Sequence, residues 1–275
     1  MIKIDGRNIT YYERGTKHKQ NIILLPGLGS DCTLWTHVIP HLSRHFHVYA
    51  FTLPVYGTRN SHGHRFTFRT LHKLLHKLII KFNIEKPTLI GHSLGAIVSM
   101  KYAALHPKKV KKLIIVSAPL SDHSKKPPLL WKLAIKYALN SSVVNDIVTY
   151  IENNNELLKD LLKILLPGRN INKTANTAHS LLKNLPVKSI ATCYHDLLVL
   201  SFKKYVEKIK VPTLIIHGTR DDVLAEFGGT ALYPFFPFAL TIPIESEHFI
   251  PSQKPDELSN LSLGFISNKQ INLHR

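Results

Sequence analysis

A serine set between two glycines, in Gly91-His92-Ser93-Leu94-Gly95, ends the run "PTLIG" and opens the run "LGAIVSMKYAAL". A serine hydroxyl is a weak nucleophile and attacks a carbonyl only when a neighbouring base takes its proton. The flanking glycines remove side chains that would crowd a sharp turn, so Ser93 projects at its apex, beside the first amides of a helix. A candidate base stands far downstream, His248 in "ESEHFIP", and a candidate orienting acid in "IIHGTRDDV" is Asp221, with Asp222 a competitor beside it. The run Pro26-Gly27-Leu28-Gly29-Ser30 lets the Leu28 amide approach the same place, and the Leu94 amide lies next to the nucleophile. Two such N–H donors would hold the negative oxygen that forms when a carbonyl is attacked. Nucleophile, base, acid and two amide donors are the parts of acyl transfer.

These parts act together only if the chain carries them to one place. "NIILLP" (21–26), "FHVYAFTL" from 46, "PTLIGHS" from 87, "KLIIVSA" from 112 and "VPTLIIHG" from 211 are short and nearly all apolar. That is the pattern of strands buried on both faces, and "FALTIPIE" from 238 is a further one. Helical patterns lie between them, at about 33–45, 66–82, 94–105 and 252–267. Such alternation predicts an α/β fold, a mainly parallel sheet with helices on both faces. In that architecture ligands gather beyond the carboxyl ends of the strands, and Ser93, Asp221 and His248 each follow a strand. The N-terminal "MIKIDGRNITYYERG" reads as a hairpin turning at Asp5-Gly6. From Pro119 to about Lys210 no strand pattern occurs; leucine-rich helical stretches follow one another, punctuated by "ENNN" and "LPGRN". This predicts core residues 1–118 and 211–275 with a helical insertion at 119–210 over one edge of the sheet.

From "LLPGLGSDCTLW" through "GHSLG" and "PTLIIHGTRDD" to "SEHF", the chain resembles the α/β-hydrolase superfamily. Specifically, it resembles the branch whose helical cap follows the sixth strand, which includes esterases, carbon–carbon bond hydrolases and cofactor-free haloperoxidases. The resemblance implies Ser93 as nucleophile, Asp221 as acid, counted as the third residue after Gly218, and His248 as base. It also implies the Leu28 and Leu94 amides as oxyanion hole, and no cofactor. It does not imply a substrate. The family's D-x-P-G-x-G after the fourth strand is "TLPVYGTRN" here, with Thr52 and Val55 in place of Asp and Gly. The expected function is hydrolysis of a small carboxylic ester with an apolar portion through an acyl-enzyme. Thioester or carbon–carbon bond cleavage in the same fold is the alternative, and a ligand receptor that keeps the fold without catalysis is a third reading. Serine at the elbow argues against dehalogenase or epoxide hydrolase chemistry, which uses aspartate there.

Composition narrows the classes. At 275 residues and 44% hydrophobic content, the chain can bury a sizeable core. No apolar run reaches the ~20 residues of a membrane span, and the N-terminus lacks a signal peptide's apolar centre, so a cytoplasmic location is expected. Cys32 and Cys193 form no close-spaced motif. The net charge of +18 comes from lysines scattered through most helices without a nucleic-acid motif, so a generally basic, solvated surface is expected. Among the 17 histidines, His72 and His76 are four apart on one helix, and His62 and His64 share a loop. The first pair falls towards the polar side of its helix, and neither pair has a third ligand, so no metal is expected. Trp35, Trp131 and Phe249 line a pocket or belong to the core; both readings stand.

Overall fold

The computed structural model describes residues 1–53, 68–120, 202–226 and 229–268. The chain divides into two compact units, and the described residues belong to the one comprising Met1–Leu53, Phe68–Asp122 and Ser201–Arg275. Most of the expected helical insertion, at 121–201, lies outside the described residues, as do Val55, His62, His64, Trp131 and Cys193.

The chain begins with β1 (Ile2–Ile4) and β2 (Arg7–Ile9), an antiparallel pair with Ile4 opposite Arg7. Asp5 and Gly6 turn it with φ of 49° and 78°, the positive angles a two-residue hairpin demands. The main sheet is built from β3 (Tyr11–Arg14), β4 (Asn21–Leu25), β5 (His47–Phe51), β6 (Thr88–His92), β7 (Lys112–Val116), β8 (Thr213–Gly218) and β9 (Ala239–Ile244). Its order is β3-β5-β4-β6-β7-β8-β9. Only β3 runs antiparallel, against β5; the other neighbours are parallel.

The helices of the described residues are α1 (Ile39–Leu42), α2 (Phe68–Lys81), α3 (Leu94–Leu105), α4 (Lys203–Val206), α5 (Asp222–Glu226), α6 (Ile250–Gln253) and α7 (Pro255–Ile266). Side chains alternate across a strand, and both sets are buried here. Ile22, Leu24, Ile114, Val116, Leu214 and Ile216 form one core with Leu42 of α1 and with Leu258 and Leu261 of α7. Their neighbours Ile23, Leu25, Leu113 and Ile115 are also fully buried, and α3 packs on β6 and β7 with α2 and α4 against it. Burial on both faces is why these strands read as continuous apolar runs.

Four expectations change. The helix at 33–45 is a 3-10 turn, Cys32–Trp35, followed by the separate α1; Pro40 has no N–H for the Thr36 carbonyl, so one helix cannot run through. The helix at 252–267 is likewise two, because Pro255 opens α7 afresh. β9 alternates instead of being buried throughout, with Leu240, Thr241 and Pro243 exposed, as suits an edge strand containing proline. His72 and His76 also depart from the expected polar side. His72 is buried, and His76 Nδ1 and the Tyr102 hydroxyl share a hydrogen bond at 3.2 Å while the His76 ring stacks on His106, because α3 covers that side of α2.

Lys112 begins β7 yet is buried. Its ammonium donates to the Phe265 and Ile266 carbonyls at 2.6 and 3.0 Å and to Asn268 Oδ1. It thereby adds a charged donor to the last carbonyls of α7, where the helix ladder runs out of amides. No helix among the described residues is long and apolar enough to cross a membrane.

Candidate active site

Strand β6 passes into α3 through Ser93, which holds φ 50° and ψ −115°. A non-glycine residue with positive φ is strained and persists only where its surroundings fix it. Here the Ser93 amide donates to the Val116 carbonyl at 2.8 Å. Gly91 and Gly95 supply the remaining room. A Cβ on Gly91 would meet the Gly95 carbonyl oxygen at 2.4 Å, and one on Gly95 would meet the Leu25 carbonyl oxygen at 2.3 Å. The Ser93 side chain makes no cap to α3, so its hydroxyl is not spent on the helix it precedes.

The loop after β4 lies directly against this turn: a Cβ on Gly27 would stand 2.8 Å from His92 Nδ1 and 3.1 Å from Ser93 Cβ. Among the turn, loop and cap hydrogen bonds of the described residues, neither the Leu28 nor the Leu94 amide is a donor. The loop is tied down further along, where the Cys32 amide donates to Thr52 Oγ1 at 3.1 Å. Thr52, which stands where the family has aspartate, thus still offers an oxygen acceptor to this loop.

Asp221 leaves the end of β8 and His248 follows β9; both are buried, with 6% and 7% of their surface exposed. His248 Nδ1 lies 3.0 and 2.9 Å from the two carboxylate oxygens of Asp221. With Nδ1–H donating to the carboxylate, Nε2 is left with a lone pair. The Leu224 amide adds a hydrogen bond to Asp221 Oδ1 at 2.9 Å. Burial alone would raise the Asp221 carboxyl, but His248, the Leu224 amide and the Ser117 hydroxyl together hold it below the ordinary carboxylate range. Ser117 contributes by proximity, since its fully buried hydroxyl falls outside the geometry of a formed hydrogen bond. Asp222 instead begins α5 with its side chain exposed.

A close backbone approach carries His248 to this edge: a Cβ on Gly218 would meet the Ser246 carbonyl oxygen at 2.3 Å. His92 Nε2 donates to the His248 carbonyl at 2.9 Å, which joins the residue before Ser93 to the loop of the histidine. Burial, and then the neighbouring His248, lower the His92 pKa to about 3, so it stays a neutral donor. Phe249 packs edge-on to the His248 ring at 5.4 Å, and Ser246 Oγ donates to Gln253 Oε1 at 2.9 Å. His248 is not hydrogen-bonded to Ser93 here; such contacts are often long in enzymes free of substrate and tighten on binding.

His92, Ser117 and Gln253 are supports that the sequence motifs do not single out. His92 sat within the serine motif and was the one open to detection; the other two carry no local signal. Trp35 is fully buried in the core. Among the described residues no three histidine, cysteine or acidic side chains gather as a metal site would require.

A pimeloyl-[acyl-carrier protein] methyl ester esterase of Wigglesworthia glossinidia brevipalpis is 26% identical over 217 residues, 74% of this chain and 76% of that protein. A monoacylglycerol lipase of Mus musculus is 24% identical, with 93% of this chain and 80% of the lipase aligned. The solved enol-lactonase of Burkholderia xenovorans has the same fold at a TM-score of 0.69 and 18% identity, covering 96% of this chain and 98% of the lactonase. The alpha/beta hydrolase fold family matches residues 20–255, a stretch that holds the strained serine turn, the glycine loop and the buried aspartate–histidine pair, and the chain belongs to that family.

Proposed function

We propose that the protein is a serine hydrolase that cleaves a small carboxylic ester through an acyl-enzyme. The observation that carries this reading is the buried Asp221–His248 pair, 3.0 and 2.9 Å apart, at the sheet edge where Ser93 holds a φ of 50°. His248 Nε2 takes the Ser93 proton as Oγ attacks the ester carbonyl, and the Leu28 and Leu94 amides receive the oxyanion. The imidazolium, stabilised by Asp221, returns the proton to the departing alkoxide. Water, activated by the same histidine, then attacks the acyl carbonyl and frees Ser93. Nothing in this sequence of steps requires a metal or organic cofactor.

The ester preference is supported by relatives named as a methyl ester esterase and a monoacylglycerol lipase. The leucine-rich segment 119–210 is proposed as a cap that supplies the apolar part of the pocket. Steady-state rates on p-nitrophenyl esters of rising acyl length, beside a thioester and a vinylogous diketone, test the reading. The short esters are expected to turn over fastest, and Ser93→Ala to lose several orders of magnitude while keeping the wild-type circular dichroism. More than a tenth of the activity surviving in that variant would remove Ser93 from the mechanism; preferred turnover of the diketone would reassign the bond cleaved.

A further inference from the structure

Parallel strands all begin at one edge of their sheet, so residues just ahead of each strand are gathered there from distant stretches of sequence. In this chain lysines stand ahead of four of those strands. Lys19 precedes β4, Lys86 precedes β6, Lys109 and Lys111 precede β7, and Lys208 and Lys210 precede β8. All six are exposed. Their four strands are consecutive neighbours, and at about 4.8 Å per strand the row spans only about 15 Å. None of the six forms an ion pair among the described residues. Two exposed carboxylates, Glu85 and Glu207, stand among them and leave the row strongly positive.

Like charges crowded without partners repel, at a cost that a bound anionic surface would relieve. The proposed catalysis makes no use of the row, since Ser93, Asp221 and His248 lie at the opposite, carboxyl-terminal edge. Next along the sheet is β9, where the lysines give way to exposed apolar side chains. Phe238 and Leu240 are 64% and 45% exposed, and two residues apart in extended chain they share a face. The Phe238 carbonyl accepts from the Thr213 amide at 3.0 Å, which holds it beside the segment of Lys210. Phe235, 46% exposed, has the Lys203 ammonium 4.9 Å from its ring centroid.

We propose that this strand-start edge docks on an anionic lipid bilayer. The lysines would lie among the headgroup phosphates, and Phe235, Phe238 and Leu240 would enter the boundary with the acyl chains. Cations beside exposed aromatic and aliphatic groups suit that interface. The four-strand row itself is lysine, a hydrated point charge. The exposed arginine at this edge, Arg44, precedes β5 at the end of the sheet away from Phe238, so the stretch beside the apolar side chains carries none of the planar forks that favour phosphodiester and base recognition in nucleic acid. Docked in this way, the edge that bears Ser93 faces away from the lipid.

Sedimentation of the full chain with phosphatidylcholine vesicles, with and without phosphatidylglycerol, tests the proposal. Binding is expected only to the anionic vesicles and should weaken as salt is raised. The triple variant Lys86→Glu, Lys111→Glu, Lys210→Glu should bind at least about tenfold more weakly, since each lysine near such a surface contributes severalfold, and Phe238→Ser should bind more weakly than wild type. The triple variant should keep wild-type ester turnover, which certifies its fold, and Ser93→Ala should bind vesicles as wild type does, so lipid docking and hydrolysis fail separately. No association with anionic vesicles, equal association with uncharged ones, or undiminished binding by the triple variant would overturn the proposal. Tighter, salt-sensitive binding to duplex DNA or RNA than to the vesicles would overturn it in favour of a nucleic-acid partner.

Discussion

At the scale of the residue, the two aspartates after β8 have opposite surroundings. Asp221 is buried against His248 Nδ1 and the Leu224 amide, whereas Asp222 is exposed at the start of α5. Asparagine at 221 keeps the shape but presents an amide NH₂ to the ring, which favours the wrong tautomer and withdraws the charge that stabilises the imidazolium. Asp221→Asn is therefore expected to lose roughly 10²–10⁴ in kcat. Asp222→Asn should lose less than about tenfold, as an exposed charge acts through screened solvent. Steady-state kinetics on both variants checks this, and a larger loss in Asp222→Asn would move the acid by one residue. The placement of Ser93, Asp221 and His248, each after an apolar strand, is legible in the sequence; their catalytic roles are what we propose. His92 carries only its place inside the serine motif as a signal, since the carbonyl it donates to lies 156 positions away.

At the scale of the element, the serine turn exists because α3 starts with almost no space between its backbone and those of β6 and β4. A methyl on Gly95 would press on the Leu25 carbonyl oxygen at 2.3 Å, and backbone cannot swing aside as a flexible side chain can. Gly95→Ala is expected to cost at least about 2 kcal/mol, as overpacking does, and to lower ester turnover because the turn and the β4 loop shift together. Urea titration measures the first and initial rates the second; an unchanged midpoint would mean that the approach is looser than described. The strands were legible at this scale because apolar runs of five or six residues survive any small error of boundary. The helices at 33–45 and 252–267 were not, because periodicity continues through Pro40 and Pro255 while hydrogen bonding does not. The burial of His72 depended on α3 covering α2, a tertiary fact.

At the scale of the whole molecule, the site leaves a mark on stability against pH. His92 is held near a pKa of about 3 when folded, against about 6.5 for an unperturbed histidine. Between those values the unfolded chain binds a proton that the folded one refuses, so stability is lost as pH falls through the window and is complete above it. Asp221, also lowered, adds stability that is present above the ordinary carboxylate value near ~3.9 and lost as pH falls through its own lower one. Melting temperatures from pH 7 down to 4 should fall more steeply for wild type than for His92→Gln, which keeps a donor but cannot titrate; parallel curves would show that His92 protonates without cost. The lysine row, too, becomes visible only at this scale, since in the sequence those residues are scattered and only the parallel topology aligns them. The most direct measurement of the central proposal is the intact mass of the chain after treatment with a fluorophosphonate, which phosphonylates an activated serine. One adduct per chain is expected, mapping by peptide analysis to Ser93 and absent from Ser93→Ala. A wild-type chain that takes up no label, or an adduct that persists in Ser93→Ala, would contradict a Ser93 nucleophile served by His248 and Asp221.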